Sequence, residues 1–356
     1  MTTASQIADR ALGAVVGGAL GDALGMPTQT LSPEEIATAY GKVTDFVAPA
    51  DDHPVSRGLP AAAITDDTEQ TLLLAETLLS SGATFDDLRW VEALVRWEAD
   101  VRARGSYDLL GPSTKRAIDA IRGGASPSEA GRYGDTNGAA MRIAPVGILV
   151  APDPLETLID KVEQTCRATH NTSVAIAAAA AVAAAVSCGV AGGSWRAAAG
   201  LAVEAARRAR RRGHWVAGAD IAARIAWAVE LVEGRNRSDA LRQIIELIGT
   251  SVASQESVPA AFGLLGIAEG DTWQTAVLGA NLGGDTDTIG AIAAGMAGAC
   301  SGFSSLPPDK VAGLKGLDLT AVKELVSALV DRRLDCASTD PGSAAPAAGL
   351  AMKGCA

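Results

Sequence analysis

The sequence predicts an all-α protein, a single compact bundle of helices. Three observations carry that expectation. Apolar–polar alternation at a period of two, in segments rich in Val, Ile and Thr, is nearly absent, whereas helical spacing of apolar residues recurs from end to end. Aromatic residues make up only 4% of the chain and hydrophobic residues 48%, with 39 glycines and long alanine runs. Such a core has to come from helix backbones approaching closely over small side chains.

The first helix, predicted at 5–25, shows this directly. It carries Gly13, Gly17, Gly21 and Gly25, and a spacing of four places them on one face. Each glycine weakens a helix by about 1 kcal/mol relative to alanine. Four on one stripe therefore predict another backbone lying against them. Gly290, Gly295 and Gly298 repeat the pattern in a helix predicted at 288–302, so both ends of the chain read as central packing elements. Residues 26–64 lack helical periodicity, apart from a short helix near Pro33 to Tyr40. They hold Pro27, Pro33, Pro49, Pro54 and Pro60, and a loop this long inside a compact domain suggests a lid. Further helices are predicted at 67–81, 84–103, 112–122, 137–150, 154–168, 171–190, 194–212, 217–234, 238–249, 257–269, 272–282 and 319–334.

The stretch from Thr172 to Gly193 is apolar enough to raise the question of a membrane span. It is mostly alanine, which favours helix strongly and partitions into lipid weakly, so a buried core helix is expected. No linker divides residues 1–336, which read as one domain. Residues 337–356 are small, polar and proline-bearing and are expected to be disordered.

The net charge of −11 opposes binding to phosphate backbones, so no nucleic-acid partner is expected. A small phosphate-bearing ligand stays compatible with it. The basic run Arg207 to Arg212 reads as a solvated helix face. Five cysteines, odd in number, irregularly spaced and without a CxxC, fit a reducing compartment. The first residues lack a basic segment followed by an apolar one. A cytoplasmic protein, monomeric or a small homo-oligomer, is the expectation.

Two acidic clusters stand out, ITDDTEQT with Thr65, Asp66, Asp67 and Thr68, and GGDTDTIG with Asp285, Thr286, Asp287 and Thr288. Each directly precedes an apolar helical run. Capping explains either cluster alone about as well as a ligand role, since Asp and Thr are favoured N-caps and Asp66 with Glu69 has the offset of a capping box. A cap, however, needs one side chain, and crowded carboxylates repel and raise one another's pKa. A divalent cation removes that conflict. Carboxylates and hydroxyls without His or Cys point to magnesium or manganese, and four carboxylates suit two ions. A third element, GDTNGAAMRIAPVGIL, sets Asp135, Thr136 and Asn137 before small residues at Gly138, Ala139 and Ala140, where phosphate or ribose oxygens can approach exposed N–H groups. A plain Asx cap is the simpler reading of that element, and Met141 reads first as core filler. His170, in ATHNTS, is one of three histidines and reads by itself as a structural hydrogen-bonding group.

Taken together, GAVVGGALGDALG at 13–25, ITDDTEQTLLL at 64–74, NGAAMRIAPVG at 137–147, residues 169–180 and GANLGGDTDTIGAIAAGMAG at 279–298 resemble the ADP-ribosylglycohydrolase family. The match spans most of the chain, in the family's order. The resemblance implies an orthogonal multi-helix bundle of the ADP-ribosylglycohydrolase type with a dinuclear magnesium centre, manganese being possible. It assigns Thr65, Asp66, Asp67, Asp285, Asp287 and Thr288 as metal ligands. Asp22, Gln29, Asp135, Asn137, Gly138, Met141, Arg142, His170 and Gly284 are implied around the ribosyl or ADP-ribosyl substrate, free or carried on a protein. The implied reaction is hydrolysis of a ribosyl glycosidic bond by metal-activated water, with Asp66 and Asp67 as catalytic carboxylates.

One position departs from the pattern. Some family members carry Glu on the mobile loop where this chain has Gln29, and Gln is no general base at neutral pH. The base is then Asp66 or Asp67, or Glu34 or Glu35 further along the loop. The departure also leaves room for a smaller ribosyl substrate such as a nucleoside, or for a non-catalytic ADP-ribose-binding module. A magnesium-dependent phosphohydrolase would use the same carboxylates, but no GxxxxGK[ST] or basic phosphate clamp is present. A membrane protein is disfavoured by Asp285 and Asp287 within the C-terminal apolar stretch.

Overall fold

A computed structural model describes residues 2–82, 84–105 and 110–339. Its first half contains α1 (Ala4–Gly25), α2 (Pro33–Tyr40), α3 (Asp66–Ser80), α4 (Asp87–Ala103), α5 (Pro112–Arg122), α6 (Pro127–Ala130), α7 (Gly138–Met141), α8 (Ala144–Leu149) and α9 (Leu155–Cys166). The second half contains α10 (Ser173–Val190), α11 (Trp195–Ala209), α12 (Ile221–Val232), α13 (Arg237–Gln243), α14 (Ser254–Ile267), α15 (Thr272–Ala280), α16 (Thr286–Ser301), α17 (Pro308–Gly313) and α18 (Leu319–Thr339). Among the described residues there is no β-strand, only three isolated bridges. The all-α expectation holds.

The glycine stripe does what its spacing implies. Helices α1 and α16 run antiparallel, with Gly13 against Gly298, Gly17 against Ala294, Gly21 against Gly290 and Gly25 against Thr286. At each of these four glycines a Cβ would fall closer than 3.0 Å to a carbonyl oxygen of α16. The seam brings the end of α1 beside the start of α16, and Thr286 Oγ1 donates to the Gly25 carbonyl at 2.9 Å.

The alanine-rich α10 lies against α1, α8, α9, α11 and α16. Its length and composition would let it cross a membrane, yet 94% of it is buried inside this fold, as a core helix should be. One apolar core runs from Ala11 in α1 to Val330 in α18.

Several boundaries differ from the periodicity for identifiable reasons. The helix expected at 137–150 is broken into α7 and α8. Pro145 has no N–H, and its ring crowds the carbonyl four residues back, so α7 stops at Met141. The helix expected at 238–249 ends in a π-turn, Ile244–Ile248. Helix α16 begins at Thr286, two residues before the expected start. Helices α6 and α17 are too short to show a period. Helix α18 continues to Thr339, three residues into the segment expected to be disordered. The remainder of that segment, 340–356, lies outside the described residues.

Candidate functional site

The two acidic clusters meet. Thr288 Oγ1, at the start of α16, donates to Asp67 Oδ2, at the start of α3, at 3.2 Å across 221 positions of sequence. Asp67 is buried among the charges of Asp66, Asp287, Asp22 and Asp285.

The structure bears on the capping reading. Thr65 and Asp285 occupy the N-cap positions of α3 and α16, yet neither side chain accepts a capping hydrogen bond from the backbone of its own helix, and the same holds for Asn137 before α7. Ordinary caps are present elsewhere, from Thr3, Ser32, Asp86 and Thr172. The anticipated pairing of Asp66 with Glu69 does not form. Glu69 instead accepts from Trp97 Nε1 at 2.6 Å and from the Arg104 guanidinium at 2.8 Å. Asp22 does the capping of α3 from the neighbouring helix. Its carboxylate accepts from the N–H groups of Thr65 and Thr68 at 2.9 and 3.2 Å, and from their hydroxyls at 2.7 and 2.5 Å.

The cluster side chains are thereby left for one another. Asp66 Oδ2 accepts from Gln70 Nε2 at 2.8 Å, Asp285 Oδ2 from Asn137 Nδ2 at 2.5 Å, and Asp287 Oδ1 from the Thr288 N–H at 2.9 Å. Asp67 Oδ1 is buried with no hydrogen-bond partner among the described residues. An orphaned buried carboxylate oxygen is costly, and a hard cation is the partner that this all-oxygen setting suits. Among the described residues no three carboxylates, imidazoles or thiols are gathered tightly enough to form a metal cage by themselves. Magnesium does not require one, because it retains several waters and takes one or two carboxylates. The residues present fit such an ion.

Burial is the largest reason that the Asp67 carboxyl is held well above the usual carboxylate range, with the charge of Asp66 next and that of Asp287 after it. Burial likewise raises Asp285 from 3.8 to about 6 against the opposing hydrogen bonds of Asn137 and Thr288. Between these values the folded protein keeps a proton that the unfolded chain has released, so stability falls as pH rises through the window. Asp285→Asn removes that loss. In chelator, its advantage over wild type should grow by on the order of 1–2 kcal/mol between pH 4 and pH 6.5. Denaturant unfolding at a series of pH values measures it, and an advantage flat across the window would contradict the assignment.

Several residues implied around the substrate lie inside the fold. Asp22 is fully buried with both oxygens engaged, and it holds the TDDT turn in place. Arg142 is also buried. It donates to Gln70 Oε1 at 2.6 Å and Thr169 Oγ1 at 2.8 Å and lies over the Trp90 ring. Burial lowers its pKa to about 10, and from inside the fold it braces Gln70, the partner of Asp66. His170 is fully buried under Gly138, where a Cβ would come to 3.0 Å of its ring. Burial and the Arg142 charge hold it well below its ordinary pKa, hence neutral. Met141 packs against the main core, the first reading of it.

The others surround the clusters. Asn137 holds Asp285, as described. Asp135 is exposed, and its carbonyl accepts from the Ser254 N–H at 3.2 Å. Gly284, at φ +78°, exchanges backbone hydrogen bonds with the Gln29 loop, Thr30 N–H to its carbonyl at 2.7 Å and its own N–H to Leu31 at 2.9 Å. Gln29 is buried, and its amide donates to Ser56 Oγ at 2.9 Å. Glu34 and Glu35 line a surface cavity with Tyr40 and His53. Glu35 is committed to the Ser32 N–H at 2.7 Å. Gln70, which steadies Asp66, is absent from the expected site residues; it lies inside the TDDTEQT motif, and its four-residue offset from Asp66 is the signal that could have found it.

A helical fold with facing acidic turns at the starts of two helices defines a class. The ADP-ribosylglycohydrolase family model matches residues 3–338, and the chain belongs to that family, whose members are hydrolases of glycosidic bonds. YegU of Escherichia coli is 33% identical over 91% of this chain and 97% of its own length. ADP-ribosylarginine hydrolase Tri1 of Pseudomonas putida is 28% identical over 87% of this chain and 75% of its own. Among solved structures, an ADP-ribosylglycohydrolase-related protein complex superimposes with a TM-score of 0.70 at 26% identity, covering 92% of this chain and 99% of the matched one.

Proposed function

We propose that the protein removes ADP-ribose from a guanidinium nitrogen, using two divalent cations, magnesium or manganese. Thr65, Asp66 and Asp67 would hold them from one side and Asp285, Asp287 and Thr288 from the other. The observation that carries this is the contact of Thr288 with Asp67, whose second oxygen has no protein partner. When bound, such ions lower the pKa of coordinated water and orient sugar hydroxyls. Asp66, only partly buried and steadied by Gln70, is the carboxylate placed to accept the proton of the attacking water. The massed carboxylates favour positive charge growing on an oxocarbenium-like sugar. Asn137 fixes Asp285, and Asp22 fixes the turn that presents Asp66 and Asp67. Similarity to an ADP-ribosylarginine hydrolase supports the choice of linkage.

Gln29, buried and bonded to Ser56, supplies no carboxylate from its loop and favours a second reading, in which the substrate is a smaller ribosyl compound. Incubation with magnesium and ADP-ribosyl-arginine, ADP-ribosyl-serine or free nucleosides separates the two. Release of ADP-ribose from the arginine conjugate, abolished by chelator, is expected. Ribose release from nucleosides alone would establish the second reading, and release of inorganic phosphate alone would refute both.

A further inference from the structure

A cavity of about 520 Å³ lies between α11, α12, α13 and α14, within the usual range for small-molecule sites. None of the acidic-cluster residues lines it. Helix α14 meets the Asp135 loop at Ser254 and the cavity at Gly266, so about 18 Å of helix separates the two places.

The floor is apolar, from residues such as Val203, Val229 and Ile267. The rim is basic. Arg196, Arg235 and Arg237 all reach it, and among the described residues none of the three is paired with a carboxylate. Each instead rests on a neutral group. The Arg196 guanidinium lies 4.3 Å from the Trp195 ring centroid, Arg235 Nε donates to the Leu231 carbonyl at 2.6 Å, and an Arg237 nitrogen donates to Gln274 Oε1 at 2.9 Å. Those contacts hold the side chains and leave other N–H donors uncommitted. In a chain of net charge −11, three unpaired arginines around one cavity are out of keeping with the surface as a whole. Glu233 and Glu269 share the rim and the charge of Asp239 acts on Arg235 from beside it, so the three arginines outnumber the two carboxylates that line the cavity itself.

We propose that this cavity binds a small organic monoanion with an apolar body, a ring-bearing carboxylate or sulfonate. The body lies on the apolar floor and the anionic group meets the arginines. Gly200 supplies a clean test. It is exposed in α11 and lines the cavity, and a Cβ there would meet nothing within 4 Å. A side chain can therefore start there without a clash at its Cβ, and phenylalanine, which is bulky enough to occlude the cavity, is a better helix former than glycine.

The probe is anilinonaphthalene sulfonate, followed by its fluorescence, with uncharged N-phenylnaphthylamine as the matched ring without the anion. Wild type should bind the sulfonate saturably at one site, and the neutral compound should bind about tenfold more weakly or worse. Gly200→Phe should abolish binding, and Arg235→Ala with Arg237→Ala should weaken it by about tenfold, while hydrolase activity stays unchanged in both. Absence of saturable binding to wild type, equal binding of the neutral probe, or sulfonate binding that survives both variants would each overturn the proposal.

Discussion

Asp67→Asn is expected to abolish turnover and, measured in chelator, to raise the melting temperature of the same protein. The two effects have one cause. Asp67 is buried among Asp66, Asp287, Asp22 and Asp285 with one oxygen unpartnered, so in the absence of a cation its ionised form is a liability. A neutral isostere relieves repulsion and desolvation by about 1–3 kcal/mol, which for a chain of this size is a rise of roughly 1–4 °C. Turnover should fall by about a thousandfold or more, equivalent to about 4 kcal/mol in the barrier. A structural carboxylate would behave in the opposite way. Loss of stability with activity retained would show that Asp67 serves the fold and not the chemistry.

Gly21→Val is expected to cost about 3 kcal/mol or more, the top of the range for overpacked cores. A Cβ at Gly21 meets the backbone carbonyl of Gly290, and a backbone cannot swing aside as a side chain does. Helices α1 and α16 would have to part along the whole seam, carrying Asp22 away from Thr65 and Thr68. Poor soluble yield or a melting temperature lowered by at least several degrees is the readout. Gly18→Ala is the matched control. Its Cβ would find the Ala291 carbonyl at 3.5 Å, an ordinary contact, and alanine favours helix by about 1 kcal/mol, so that variant should be neutral or more stable. Equal behaviour of the two variants would remove the close approach from the account.

The seam itself was legible, because a four-residue glycine period states both the contact face and the closeness of what lies on it. The acidic clusters were legible as unusual turns, although either alone matched a cap. Only the fold could show that Thr65, Asp285 and Asn137 leave their own helices uncapped and that Asp22 caps α3 from another helix. Trans-capping leaves no local pattern, so the hold of Asp22 on the start of α3 could not be read from its neighbours in sequence. The surroundings of Arg142 and His170 were hidden in the sequence for a related reason. A polar residue beside a site motif reads the same whether it faces the ligand or braces the loop behind it, and burial decides between them. The break between α7 and α8 was written in Pro145, but the flanking apolar residues keep helical spacing and mask it.

The central claim is that two turns 221 positions apart share a single cation site. Calorimetric titration of manganese into wild type, Asp67→Asn and Asp287→Asn tests it most directly. Saturable binding to wild type that is lost in either single variant is the predicted result. Binding that survives one substitution intact while the other abolishes it, or no binding to wild type at all, would contradict the account.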